Sequence, residues 1–261
     1  MDSLVISDRT FNSRLLLGTG KFSSNEIMKD TLEASGTEIV TVSLRRANLN
    51  SEDDESADIL NFIDNKKFLI LANTSGANNA EEAVRLARLA RSAGLPPWIK
   101  LEIHPDPKYL LPDPVETFKA TKTLVDEGFT VLPYINADPL LAKRLQDVGA
   151  ATVMPLGSPI GSNLGIQNRK QIEIIIEQAT VPVIVDAGIG KPSHACEAME
   201  IGADAVLINT AIAISSNPIQ ISKAFKGSIE NGRTDFLFGS QETSFKGSAT
   251  SPLSTFLFEN D

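Results

Sequence analysis

A lysine and a glutamate, Lys100 and Glu102, interrupt the apolar run Trp98-Ile99-Lys100-Leu101-Glu102-Ile103. In a strand, successive side chains point to opposite faces, so Trp98, Lys100 and Glu102 share one face and Ile99, Leu101 and Ile103 the other. On an antiparallel sheet with one wet face the two charges would be an ordinary exposed ion pair. Buried, they would do chemistry. Desolvation lowers an amine's pKa and frees the lone pair that attacks a carbonyl to form a Schiff base.

A second concentration of chemistry lies in Val183-Ile184-Val185-Asp186-Ala187-Gly188-Ile189-Gly190, followed by a helix predicted to begin near Pro192. Two glycines after a buried strand let the backbone approach an anion closely, and the helix N-terminus behind them favours negative charge. The segment Val206-Leu207-Ile208-Asn209-Thr210-Ala211 again ends in small polar residues. A Gly/Ser/Pro loop, residues 157–163, offers Gly161 for backbone contact. Asp186 stands where a carboxylate would either cap the next helix or join Glu102 as an acid/base pair around Lys100. Together these residues predict a phosphorylated ketose or aldose as substrate.

The elements that must position them recur with regularity. Short β-branched or apolar runs at 15–17, 38–44, 68–72, 98–103, 130–135, 151–156, 182–185 and 205–208 predict eight strands. Helical periodicity separates them at 25–34, 56–65, 80–93, 114–127, 139–148, 168–178, 192–201 and 218–231. Pro114, Pro139, Pro192 and Pro218 stand at helix starts, where a missing N–H costs little, and Asp113, Asp138 and Asn217 precede three of them as N-caps. Eight strand-helix units predict an α/β fold, a single (β/α)8 TIM barrel, with a doubly wound open sheet as the competitor. In a barrel no strand face is wet, Lys100 and Glu102 point inward on the fourth strand, and the loops after strands 7 and 8 are the usual phosphate site. The predicted organisation is a catalytic barrel over residues 1–232 and a C-terminal tail over 233–261, docking on a subunit or ordering over the site.

Composition narrows the function. A net charge of -9 argues against a general nucleic-acid binder, and no apolar stretch approaches the ~20 residues needed to span a bilayer, so no membrane association and a cytoplasmic location are expected. One cysteine, Cys196, excludes an intramolecular disulfide or a multi-cysteine cluster, and two histidines are too few for a histidine-rich site. No metal and no cofactor are expected. Cys196 reads as a buried structural thiol, His104 as a loop hydrogen-bonding residue, and Asp113 as a turn residue before Pro114. The acidic stretch at 52–55 reads as a solvated helix start.

The chain also resembles the thiazole synthase family of bacterial thiamine biosynthesis. The resemblance rests on residues 17–22 (Leu-Gly-Thr-Gly-Lys-Phe), 73–77, 99–103, 110–114, 157–163, 186–190, 209–213 and 249–253, in that order. It implies a reaction joining 1-deoxy-D-xylulose 5-phosphate, dehydroglycine (2-iminoacetate) and sulfur, the last delivered as the C-terminal thiocarboxylate of a ubiquitin-like carrier protein. It further implies Lys100 as the Schiff-base lysine, Glu102 and Asp186 as the acid/base pair, and Gly161, Ala187, Gly188, Asn209 and Thr210 against the sugar phosphate. A dehydroglycine-producing enzyme and a homotetramer are implied as partners. A class I aldolase acting on a phosphorylated sugar, and a non-enzymatic sugar-phosphate-binding barrel, are the competing functions.

Overall fold

The computed structural model describes residues 2–43, 59–239 and 246. Two short strands, β1 (Leu4–Ile6) and β2 (Arg9–Phe11), form an antiparallel hairpin that the sequence reading did not anticipate. The remaining strands are β3 (Leu15–Gly18), β4 (Ile39–Ser43), β5 (Leu69–Asn73), β6 (Trp98–Leu101), β7 (Thr130–Ile135), β8 (Met154–Pro155), β9 (Ile184–Asp186) and β10 (Ala205–Ile208). They pair in parallel in the order β8-β7-β6-β5-β4-β3-β10-β9. Parallel bridges from Val153 to Val183 and from Leu156 to Asp186 join the two ends, so the sheet closes into a barrel. This is the predicted (β/α)8 architecture, and it excludes the open sheet.

Helices α1 (Asn25–Ser35), α2 (Ala80–Ser92), α3 (Pro114–Asp126), α4 (Pro139–Asp147), α5 (Arg169–Gln178), α6 (Pro192–Glu200) and α8 (Pro218–Phe238) lie in the chain between or after the strands, with a single turn, α7 (Thr210–Ala213), after β10. Their starts follow the local chemistry. Asp113 accepts from the N–H groups of Val115 and Glu116, Asp138 from Leu140 and Leu141, and Asn217 from Gln220, each satisfying donors that a helix leaves unpaired. Asp113 is thereby a cap and not a participant in the site. The expected helix at 56–65 and the acidic stretch at 52–55 lie wholly or partly outside the described residues.

The period-two alternation of β6 is borne out. Ile99, Leu101 and Ile103 pack in one apolar cluster with Ala83, Leu86, Ala87, Ala120 and Leu124 from α2 and α3. Trp98 faces inward with Leu16, Ile39, Leu71, Leu132, Met154 and Leu207, and the hairpin residues Leu4, Ile6 and Phe11 join this same cluster. Phe11 meets Trp98 edge to face, with centroids 6.1 Å apart. The hairpin thus closes the end of the barrel where the strands begin, leaving the other end for chemistry.

Helix α8 runs past residue 232 to Phe238 and packs against α1 and α6. Gly232 permits the close approach, since a Cβ there would lie 2.9 Å from the Met199 Cβ. One residue on, buried Arg233 reaches Asp2 through two hydrogen bonds, of 3.2 and 2.5 Å, fastening the last helix to the N-terminus. The remainder of the expected tail, apart from Lys246, falls outside the described residues.

Candidate active site

Lys100 sits midway along β6, one interior position above Trp98, where the apolar filling of the barrel gives way to polar side chains. Its Nζ lies 2.6 Å from Asp186 Oδ2 and contacts Glu102 Oε1 directly. All three side chains are only 4% exposed, which removes the surface ion pair as an explanation. β5 supplies a further support: Asn73, paired in register with Lys100, donates its Nδ2 to Glu102 Oε1 at 2.9 Å. Thr74 braces the same glutamate through its backbone, with Oγ1 donating to Glu102 O and accepting from Glu102 N, both at 2.9 Å. Tyr134 of β7 lays its fully buried ring 5.3 Å from Lys100 Nζ, within cation-π range. His104 Nε2 accepts the Gly76 N–H at 3.2 Å, lies 3.2 Å from Ser75 Oγ and 3.6 Å from Glu102 Oε2.

The electrostatics correct the expectation of a depressed lysine. Burial alone would lower the Lys100 pKa, but the Asp186 and Glu102 carboxylates beside it outweigh desolvation and raise it above the ordinary ammonium value. Lys100 is therefore held as a cation. The two carboxylates move in opposite directions. Burial pushes Glu102 up, yet the Lys100 charge and the hydrogen bonds from Lys100 and Asn73 overcome this and hold it well below the usual carboxylate range. Burial raises Asp186, the Glu102 charge adds to the rise, and Lys100 opposes it without cancelling it. Asp186 is thus the carboxylate ready to take a proton, and Glu102 the one that stays ionised. Asp186 does not cap the following helix, where Lys191 occupies the cap position without a side-chain cap bond.

These groups open onto a cavity of about 250 Å³ at the C-terminal ends of the strands. Its lining brings together all eight residues singled out from sequence: Lys100, Glu102, Asp186, Gly161, Ala187, Gly188, Asn209 and Thr210. Four lining residues other than glycine have left-handed backbone: Lys21 (φ 70°), Leu110 (φ 54°), Asn163 (φ 56°) and Ala187 (φ 59°). Such strain persists where the surroundings enforce it, and its concentration around one cavity is typical of a functional site. Gly188 has φ 74°, and a Cβ there would lie 2.8 Å from the Ser158 Cβ and overlap the hydroxyl, so only glycine lets the loops after β8 and β9 meet.

Two details depart from expectation. The lining reaches Ile189 but not Pro192, and the Gly190 N–H is taken by His194 Nδ1 at 3.2 Å, so the start of α6 does not face the cavity. Cys196 is half-buried on α6, not fully buried, and burial and the neighbouring Glu200 push its thiol up to about 11, which leaves it inert. Sequence reasoning gave no individual role to Asn73, Tyr134 or Ser158, although segments 73–77 and 157–163 were among those carrying the resemblance. Tyr134 alternates inward on β7 just as Lys100 does on β6, a signal present in the sequence, whereas the meeting of Ser158 with Gly188 joins segments 30 residues apart and has no local signature.

A family model described as "Thiazole biosynthesis protein ThiG" matches residues 5–252. Thiazole synthase of Syntrophobacter fumaroxidans is 64% identical over 97% of this chain and 98% of its own length. Thiazole synthase 2 of Syntrophotalea carbinolica is 61% identical over 98% of each. Among solved structures, the Amycolatopsis orientalis BexX/CysO complex contains a chain that superposes with a TM-score of 0.81 at 30% identity, covering 93% of this chain and 98% of that one.

Proposed function

The chain belongs to the thiazole synthase family of thiamine biosynthesis, and we propose that it forms thiazole phosphate carboxylate from 1-deoxy-D-xylulose 5-phosphate, dehydroglycine and a thiocarboxylate sulfur through a Schiff base on Lys100. The observation that carries this reading is the buried Lys100 between Asp186 and Glu102 at the floor of the cavity.

The arrangement supports a balanced sequence of proton transfers. In the first step the Lys100 ammonium gives a proton to Asp186, forming a neutral amine and a carboxylic acid. The amine attacks the ketone carbon to give a carbinolamine. Asp186 returns its proton to the departing hydroxyl, water leaves, and the resulting iminium is balanced by ionised Glu102. The iminium acidifies the adjacent hydroxyl-bearing carbon, so a carboxylate takes the proton from it and returns it to the former imine carbon, leaving an amine there and a carbonyl on the adjacent carbon, where the thiocarboxylate attacks. Later water loss and closure onto dehydroglycine reuse the same acid and base. Gly161, Ala187, Gly188, Asn209 and Thr210 hold the phosphate in this reading. Its partners are a ubiquitin-like carrier protein, an enzyme producing dehydroglycine, and three further copies of this chain in a homotetramer, in the cytoplasm. The solved complex of the related BexX chain with CysO supports a protein partner on this fold.

The test is intact mass after incubation with 1-deoxy-D-xylulose 5-phosphate and borohydride, which reduces the imine to a stable secondary amine, followed by peptide mapping. The expected result is one adduct per chain, on Lys100. Absence of an adduct under conditions where the sugar phosphate demonstrably binds would overturn the Schiff-base step.

A further inference from the structure

Four charged side chains line the cavity among the described residues: Lys21, Lys100, Glu102 and Asp186. The last three neutralise one another down to a net single negative charge. An anionic substrate entering the cavity therefore meets a repulsive floor unless Lys21 offsets it. Lys21 forms no ion pair or hydrogen bond with any described residue, so its charge is not committed to any of them.

The position of Lys21 is enforced from two sides. Its backbone is left-handed, with φ 70°, a conformation that lysine adopts only under constraint. The preceding loop supplies that constraint. With its amide oriented to fit its surroundings, Asn209 donates to Gly20 O at 2.8 Å and to Gly18 O at 3.2 Å. Gly18 has to be glycine for this contact, since a Cβ there would lie 2.7 Å from the Asn209 Cβ. Thr19 Oγ1 adds a bond to Thr41 O at 2.9 Å. From this anchored loop Lys21 extends across the mouth until its Nζ is 3.8 Å from the Cβ position of Gly161. The ammonium thus lies beside Gly161, one position through which the proposed function holds the phosphate, at the end of a loop that Asn209, another such position, anchors.

We propose that Lys21 is the cationic ligand of the substrate phosphate and sets the preference for a phosphorylated over an unphosphorylated ketose. This rests on the reading of the cavity as a sugar-phosphate site. Backbone N–H groups orient a phosphate but carry no net charge. A flexible ammonium supplies the charge-assisted bond that a dianion needs beside two carboxylates.

The experiment compares the parent chain with Lys21→Met, Lys21→Asn and Lys21→Arg. The asparagine variant removes the charge while tolerating a left-handed backbone. Binding of inorganic phosphate is read by calorimetry, and steady-state kinetics are read with 1-deoxy-D-xylulose 5-phosphate and with unphosphorylated 1-deoxy-D-xylulose. Loss of the cation is expected to weaken phosphate binding and raise KM for the phosphorylated ketose by roughly 10- to 100-fold. The fall in kcat/KM is expected to be at least about tenfold larger for the phosphorylated than for the unphosphorylated ketose, and Lys21→Arg to recover most of the loss. Phosphate affinity unchanged within twofold in both neutral variants, or a rise confined to KM for the carrier protein, would overturn the assignment. Borohydride trapping on the parent chain separates the two levels. A trapped Lys100 with no effect of Lys21 sinks this inference alone. Loss of phosphate binding without any trapping in the parent sinks the Schiff-base reading and leaves Lys21 as an anion ligand.

Discussion

Replacing Lys100 by methionine removes the cation from between two buried carboxylates and keeps the side-chain volume, so its effect on stability can be worked from the structure. Glu102 and Asp186 are each only 4% exposed and each touches the ammonium. Without it, two like charges share a dry site, and removal of one partner from a buried pair typically costs about 3–5 kcal/mol. Protonation sets a ceiling. Neutralising one carboxylate of ordinary pKa near 4 at pH 7 costs about 4 kcal/mol, and a single proton shared between the two relieves the repulsion. The expected destabilisation at pH 7 is therefore about 3–4 kcal/mol. Its pH dependence follows from linkage. In the variant the folded state binds this proton more tightly than the unfolded state, so stability falls as pH rises from the unfolded pKa towards the raised folded one. The deficit should shrink by about 1.4 kcal/mol for each unit of acidification between pH 7 and pH 5. Urea melts of parent and variant at pH 5, 6, 7 and 8, at one protein concentration, read this directly. A deficit below about 1 kcal/mol at pH 7, or one that does not change with pH, would mean that the carboxylates do not depend on Lys100 for their charge.

Other expectations follow from particular contacts. Gly188→Ala places a Cβ against Ser158 in a left-handed backbone and should cost about 2 kcal/mol or more in urea melts while abolishing phosphate binding; unchanged stability would contradict the described meeting of these loops. Asp2 is lowered to about 2, first by its hydrogen bond to Arg233; burial opposes that fall, and the Arg14 and Arg233 charges add to the fall. Its folded pKa is depressed, so its contribution is present above pH ~4 and lost as pH falls towards 2. Because Asp2 is 40% exposed, Asp2→Asn should cost only about 1–2 kcal/mol at neutral pH, with most of that cost gone at pH 2.

The barrel was legible because its signals are local and repeated. Each strand is a short apolar run, and Asp113, Asp138 and Asn217 announce helix starts by a chemistry that operates within three residues. The hairpin at residues 4–11 was not legible, since two three-residue strands carry no periodicity; only their apolar residues Leu4, Ile6 and Phe11, buried under Trp98 and its neighbours, account for it. The gathering of the eight singled-out residues around one cavity followed from the fold, because all of them stand in the later half of a strand or in the loop beyond it. What one strand could not reveal was the sign of the Lys100 shift. Burial and charge compete there, and the winner depends on Asp186, 86 positions away in the chain and 2.6 Å away in space.

That competition separates two groups of the same chemical type. Glu102 and Asp186 touch one ammonium in one buried site, and burial alone would raise both. Glu102 escapes the rise because it has another donor: Asn73 supplies a hydrogen bond at 2.9 Å. Asp186 leans chiefly on Lys100, and its Oδ2 meets that ammonium as a charge contact off the line of a hydrogen bond. When Lys100 gives up its proton and becomes a nucleophile, Asp186 loses most of its compensation and Glu102 keeps much of its own. The proton should therefore go to Asp186, while the negative charge that the later iminium requires stays on Glu102. The neighbours each carboxylate retains at the moment Lys100 becomes neutral decide which is acid and which is base, and the one that Glu102 keeps, Asn73, comes from the end of β5.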